Sequence, residues 1–514
     1  MIPPPLRPLL LGKYQAWTLA LVTALVCGLL NVLHNHAGFD PVNRQLGGEY
    51  MRIATALSNG HGFANPFKIN TGATGWMPPC YTFILYAIKN LTASGAEPGR
   101  AFLLTLITLK CLALGATAGL VWSILKTVRQ PAYRLICFFP AWIILIGWAS
   151  YDTLINDTHD GWWLAFVLAL CFHAIVRLKP NHASKSLIVG LSLAALSSPV
   201  LFVALLLIIA LRSASFYLKA RRFTWGHALK PVLPAIIAGL LLSAGWTVRV
   251  HATTGIWAPL KTNGGFELWQ SLVQTHNGIP STSTFRLHPV NDNELKEEYV
   301  ELGEKAFTEK YTRAAFAALR ENPQRFLHHV GNRLSNAFVW MNTRSDCLYV
   351  QAQLPASIIA ELTREHLAVM SYKPTRVCFL FCDNTEEQRA LDLARLSPES
   401  RNVLIKAREH YDRVIQDLPF VDRFALKGLM LSGIITLAWA VAFLLARPHQ
   451  RRRLLLPLAL YLTLLAPYCL ISHYDRYQTI LAPLQLYILA VAAAYVVQAC
   501  VAYKNRERTP LHRS

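Results

Sequence analysis

Long apolar runs, separated by short gaps that hold most of the basic residues, constrain this chain more than any other feature. A window of about 19 residues finds apolar stretches near 15–33, 101–125, 135–150, 161–178, 186–198, 199–213, 230–248, 424–446, 454–472 and 479–502. A soluble protein of this size carries about 25% charged residues, whereas this chain has 15% in 514 residues. The pattern predicts an all-α polytopic membrane protein of about ten transmembrane helices. The start has the polarity of a signal peptide, with Arg7 and Lys13 ahead of Ala16–Val32. Asn35-His36-Ala37 follows without a small-x-small cleavage site, so it reads as a retained anchor.

The net charge of +21 would suit a nucleic-acid binder only if the charges formed one exposed face. They do not. The N-terminus and the segments 126–134, 177–185, 212–230, 447–453 and 504–513 hold 21 Lys and Arg with a single acid, Glu507. Lys and Arg accumulate in cytoplasmic loops, which predicts N-in and C-in and excludes nucleic acid as the partner. Ser197-Ser198-Pro199 divides two of the spans, since Pro starts a helix well but also kinks one. Ten cysteines are scattered singly with no CxxC pair, so neither a disulfide framework nor a zinc ribbon is indicated. Cys347, Cys378 and Cys382 pair or stay as free thiols with equal reason.

Three parts follow from the spans: residues 1–250 with a long outer segment at 34–100, an outer helical domain at 251–423, and C-terminal spans at 424–514. In the first outer segment, Pro78-Pro79 leads into an apolar stretch too short to cross, which predicts a helix lying flat at the interface. In the second, amphipathic patterning runs over Tyr299–Arg320 and Pro323–Trp340, where Phe326, Leu327, Val330, Leu334 and Phe338 recur at threes and fours. This domain is expected to rest partly on the membrane.

With that sidedness, four polar clusters share one side: Asp40 and Glu49; Asp152, Asp157, His159 and Asp160; Arg249, Lys261 and Asn263; His473, Asp475 and Arg476. A carboxylate there, Glu49 or Asp40, suits removal of a proton from an acceptor. Arg476, Arg249, Lys261 and His473 suit an anionic phosphate. Bland readings stand beside these. Glu49 fits the first turn of an interfacial helix, Asp40 precedes Pro41 in an ordinary turn, and Arg476 fits a headgroup anchor. Asp157, His159 and Asp160 have metal-like spacing, so a divalent cation is one expectation, though Asn156-Asp157-Thr158 equally reads as a helix cap. Lys110, inside a span, should face the bundle interior with a partner.

Five stretches resemble, in order, the membrane glycosyltransferases of the GT-C fold, in particular the bacterial branch related to protein O-mannosyltransferases and the aminoarabinose transferase of lipid A. They are GGEYMRIATALSNGHGF (47–63) with TGWMPPCYTFILYAI (74–88), GWTVRVHATTG (245–255), LKTNGGFELW (260–269), ENPQRFLHHVGNRLSNAFVW (321–340) and HYDRYQTILAPL (473–484). The last is similar to the family's Arg-Tyr-x-x-x-x-x-Pro. The resemblance implies a GT-C-like bundle in a bacterial inner membrane that transfers a sugar, usually with inversion, from a polyprenyl-phosphate donor. The acceptor would be lipid A, another glycan or a protein on the periplasmic side. Carried over, Glu49 matches the first-loop acid, Asp160 or Asp157 the second-loop acid, and Arg476 the phosphate-binding cation beside Tyr477. The family's first-loop acid is most often Asp, frequently in an Asp-Glu pair; here Gly48 precedes Glu49, which keeps Asp40 as the alternative. A secondary transporter or flippase is a rival, but no repeat in two halves is found. A non-catalytic scaffold is another, and it leaves the outer acids idle.

Overall fold

A computed structural model describes residues 15–34, 48–67, 70–93, 99–125, 131–144, 159–178, 183–219, 229–275, 278, 288–338, 357, 397–399, 401–403, 405–406, 409, 431–472 and 476–507. Among them every regular element is a helix, and the β pairing is confined to one isolated bridge between Ala64 and Ala73. In chain order the helices are α1 Gln15–His34, α2 Gly48–Ser58, α3 Pro79–Leu91, α4 Arg100–Ile124, α5 Pro131–Ile144, α6 Gly161–Val176, α7 Lys185–Ser197 and α8 Pro199–Lys219. There follow α9 Leu233–Thr254, α10 Gly264–Val273, α11 Asn293–Glu321, α12 Pro323–Phe338, α13 Leu431–Leu445, α14 Pro448–Leu470, α15 Arg476–Thr479 and α16 Ala482–Glu507.

The chain is an all-α polytopic membrane protein. Each of the ten apolar runs is occupied by a helix (α1, α4 to α9, α13, α14 and α16). Arg100–Ile124, Leu233–Thr254 and Ala482–Tyr503 are long and apolar enough to cross a bilayer unaided, and six of the others are shorter apolar helices. The break between α7 and α8 is real: Ser198 is extended (φ −159°, ψ 123°) and Pro199 opens α8. The last span begins three residues later than its apolar run, because Ile480 and Leu481 form a turn between α15 and α16.

In a bilayer the apolar face of a helix gains nothing by leaving lipid, so helices associate where small residues let backbones approach. Gly115 and Gly119 of α4 lie against Ala16, Ala20 and Ala24 of α1, so close that a Cβ on Gly115 would stand 2.3 Å from the Ala20 carbonyl oxygen. The opposite edge of α1 leaves Trp17, Leu21, Leu25 and Leu29 exposed, as lipid contact requires. Lys110 is fully buried inside the bundle, as its cost in lipid demands.

The segments between the spans add α2, α3 and the helices α10 to α12. The amphipathic 299–320 pattern belongs to a longer helix, α11, which starts at Asn293 because Asp292 caps it, Oδ1 accepting from Leu295 N at 2.9 Å. Gly303 breaks it in the middle at φ 72°, ψ 162°, a conformation open essentially to glycine alone. The helices α10 and α11 share a continuous core with the first outer segment, built from the rings of Phe67, Trp76, Phe266, Tyr299 and Phe307.

Gly115→Ala is expected to destabilise the protein by about 1–3 kcal/mol through forced separation of α1 and α4. The same change at Gly28, where a Cβ meets nothing within 4 Å, should be neutral or slightly stabilising. Thermal unfolding of the two purified variants in detergent separates these outcomes.

Candidate active site

Three of the segments between the spans are fastened by one buried carboxylate. Glu304 sits directly after the Gly303 break and is buried. Its Oε1 accepts from the Gly75 backbone N–H at 2.9 Å and from Thr262 Oγ1 at 2.6 Å, and its Oε2 accepts from Tyr299 Oη at 2.6 Å. Burial and the adjacent Glu304 charge hold the Tyr299 phenol well above its ordinary pKa, so it remains a donor. Nearby, Arg249 at the end of α9 donates to the carbonyls of Thr74 (2.5 Å) and Phe63 (2.9 Å) and lies over the rings of Phe63 and Trp246. These contacts fix the loop 59–78 and the segment 255–263, whose neighbouring residues Met77 and Lys261 reach the cavity described next.

A cavity of roughly 220 Å³ opens where the ends of several helices meet. Its polar lining includes Tyr50, His159, Asp160, Lys261, Glu267 and Tyr477, and its apolar walls include Met77, Leu164, Val200, Ile471 and Ile480. Asp160 is the N-cap residue of α6, yet its side chain makes no capping bond. Its carboxylate instead accepts from Tyr50 Oη at 2.9 Å through Oδ2, and its Oδ1 lies 2.5 Å from His159 Nδ1. Across the cavity, Glu267 Oε1 accepts from Lys261 Nζ at 2.9 Å and from Asn263 Nδ2 at 3.0 Å. Tyr468 and Tyr477 stack with centroids 4.2 Å apart and complete the wall. The first turns of α6 (Gly161), α8 (Pro199, Val200) and α10 (Gly264) all border this space, and helix N-termini favour anions.

The cavity thus brings together Asp160, His159, Lys261 and Tyr477 of the residues singled out in the sequence. Arg249 lies elsewhere, with its donors committed to backbone carbonyls. Glu49 opens α2 beside Tyr50 but does not line the cavity; its Oε1 faces His288 Nε2 at 3.8 Å. Burial lowers the pKa of Arg52, one turn along α2, and Glu49 opposes that shift. Asp40, Asp157, His473, Cys347, Cys378 and Cys382 lie outside the described residues, as does the Arg476 side chain, although its backbone starts α15. Among the described residues no group of three His, Cys, Asp or Glu side chains assembles as a metal site. Tyr50, Glu267, Glu304 and Tyr468 were not marked by sequence reasoning. Of these, only Glu267 had a signal, as the acid six residues beyond Lys261.

No protein-family model matches the chain, and no curated protein matches it either. Among solved structures, the chain is similar to a crystal structure of ArnT from Cupriavidus metallidurans bound to undecaprenyl phosphate. The identity is 10%, with 98% of this chain and 82% of that one covered. The TM-score of 0.36 is too low to carry any argument about this chain.

Replacing Glu304 by Ala strands three buried donors and should cost about 3 kcal/mol or more. Tyr299→Phe removes one of the three bonds and should cost clearly less. Unfolding midpoints of the two variants in detergent test the ranking; equal losses would show that the Tyr299 bond alone carries the contribution of Glu304.

Proposed function

We propose that the chain is an integral membrane glycosyltransferase of the GT-C type, working from a polyprenyl-phosphate-linked sugar at the cavity of Asp160 and Lys261. The observation that carries this reading is the Asp160 carboxylate. It stands at a helix start without capping it, is held by Tyr50 and His159, and borders a cavity that is also lined by the Lys261 ammonium group. A donor that is part lipid and part anion matches a polar cavity at the ends of apolar helices. The resemblance of the five sequence stretches to the family supports the same class.

In this reading an Asp160 oxygen takes the proton of the acceptor hydroxyl or amine as its oxygen or nitrogen bonds the anomeric carbon. The bond from that carbon to the phosphate oxygen breaks, and the electron pair leaves with the phosphate. Attack from the face opposite the leaving group inverts the centre. His159 and Tyr50 hold the carboxylate in place, and a base so placed is worth about 10²–10⁴ in rate. Lys261, steered by Glu267, and the first turns of α8 and α10 offset the charge on the departing phosphate. Arg476 and Tyr477, which open α15, complete the phosphate side in this reading. The reading also puts the cavity on the periplasmic side of a bacterial inner membrane with both termini in the cytoplasm. Acceptor candidates are lipid A, another glycan or a protein.

The test is sugar transfer in membrane vesicles from a set of labelled polyprenyl-phosphate sugars, with native lipid extract as acceptor source. Asp160→Asn is expected to lower the rate by about 10²–10⁴. Lys261→Met should lower kcat/KM about 10- to 100-fold. Glu49→Gln should retain most activity, and its loss would move the base to α2. A parallel run with EDTA reads whether a divalent cation joins His159 and Asp160. Absence of transfer by the wild type from every donor would sink the enzyme reading in favour of transport.

A further inference from the structure

One edge of α12 carries Arg325, His329, Arg333 and Ala337 at intervals of four, and there His329 and Arg333 are buried at 1% and 0% exposure. The other side of the helix exposes Leu327 (67%) and Leu334 (42%). The inward edge meets the ends of three elements. Arg325 Nη2 donates to the Thr275 carbonyl at 3.2 Å, with Val273 O at 3.5 Å, at the C-terminal end of α10. Arg333 Nε donates to the Gly278 carbonyl at 2.8 Å, and its Nη1 to the carbonyls of Cys469 (3.0 Å) and Leu470 (2.7 Å), which end α14. Gln478 of α15 donates through Nε2 to the Ala337 carbonyl at 3.4 Å.

Those three elements bring Glu267, Tyr468 and Tyr477 to the cavity. A helix C-terminus leaves carbonyls without intrahelical partners and carries the negative end of the dipole, so a guanidinium fork is a fitting donor. Burial pulls the Arg333 pKa down to about 10, so the group keeps its charge at neutral pH. Nε and Nη1 of one fixed fork reach three carbonyls together, while the buried Nη2 makes no hydrogen bond among the described residues. A lysine would keep the charge but not the fork.

We propose that Arg333 is a positioning residue: it holds the last turn of α14 against the cavity and, with Arg325 on α10, makes α12 a strap across the walls of the site. The strap acts through Tyr468 and Tyr477 and touches no reacting atom. Its link to catalysis rests on the glycosyltransferase reading above; its effect on the α14 end does not.

Cys469 supplies a native reporter, since it sits on the strapped turn at 2% exposure, while Cys27 and Cys171, at 0%, lie in other helices. Maleimide labelling of the full-length protein in detergent, resolved by cysteine with mass spectrometry, compares wild type with Arg333→Gln and Arg333→Lys. Labelling of Cys469 should rise about tenfold or more in Arg333→Gln and less in Arg333→Lys, with Cys27 and Cys171 unchanged. In the vesicle assay kcat/KM should fall in Arg333→Gln and recover partly in Arg333→Lys. Wild-type labelling of Cys469 in both variants overturns the proposal, as does an equal rise at all three cysteines, which would mean general loosening. Should Arg333→Gln fail to accumulate, Arg333→Lys is read by the same criteria. If the wild type transfers no sugar, the enzyme reading falls while the thiol comparison still decides the strap.

Discussion

The buried carboxylate of Glu304 is the constraint on which the packing of the segments between the spans depends. A charge removed from water is tolerated only when its lone pairs are fully used, and here the donors come from three separate segments: Gly75, Thr262 and Tyr299. None of those segments satisfies the carboxylate alone. The loop 59–78, the segment after α9 and the first half of α11 must therefore close together. Gly303 makes this possible by turning the chain immediately ahead of Glu304. The consequence reaches the cavity directly, because Lys261 precedes Thr262 and Met77 lies two residues beyond Gly75. A change at Glu304 would act on the cavity walls without touching a ligand.

Much of the bundle was legible because lipid imposes a simple length and composition rule. All ten apolar runs became helices, and Pro199 marked the break between α7 and α8. The kink at Gly303 was not legible: helical periodicity continues on both sides, and only the backbone angle reveals the turn. In the site, Asp160 and Lys261 were identified from their share of one side, and Tyr477 through the resemblance of the stretch 473–484. Tyr50 and Glu304 were not, since their partners lie 110 and 229 residues away (Asp160 and Gly75). Arg249 illustrates the converse. A cation at a span end reads as a phosphate ligand, yet loop carbonyls take donors too, and Arg249 serves Phe63 and Thr74.

The helix α12 shows how a bilayer reverses the usual reading of amphipathicity. The recurrence of Phe326, Leu327, Val330, Leu334 and Phe338 was visible, but the period says nothing about which side faces protein. In water the leucines would turn inward and the arginine outward. Here Arg333 and His329 are buried while Leu327 and Leu334 are exposed. Leucines are exposed on the neighbouring helices too, Leu437 on α13 and Leu470 on α14. Without a hydrophobic drive between apolar surfaces in lipid, polar groups that need partners become the adhesive.

The same logic separates the two candidate bases. Glu49 and Asp160 both stand at helix starts, where the dipole favours a carboxylate, and composition cannot rank them. Tyr50 links the two places: its backbone follows Glu49, and its hydroxyl binds Asp160. The side chains diverge from there. Glu49 points toward His288, which packs against Phe67, Trp76 and Phe266, while Asp160 borders the cavity that Lys261 also lines. A general base must come within hydrogen-bond reach of the proton it removes, so geometry precedes acidity in the choice. By that criterion the proposed base is Asp160, which borders the cavity, rather than Glu49, which faces His288 and lies outside the cavity lining.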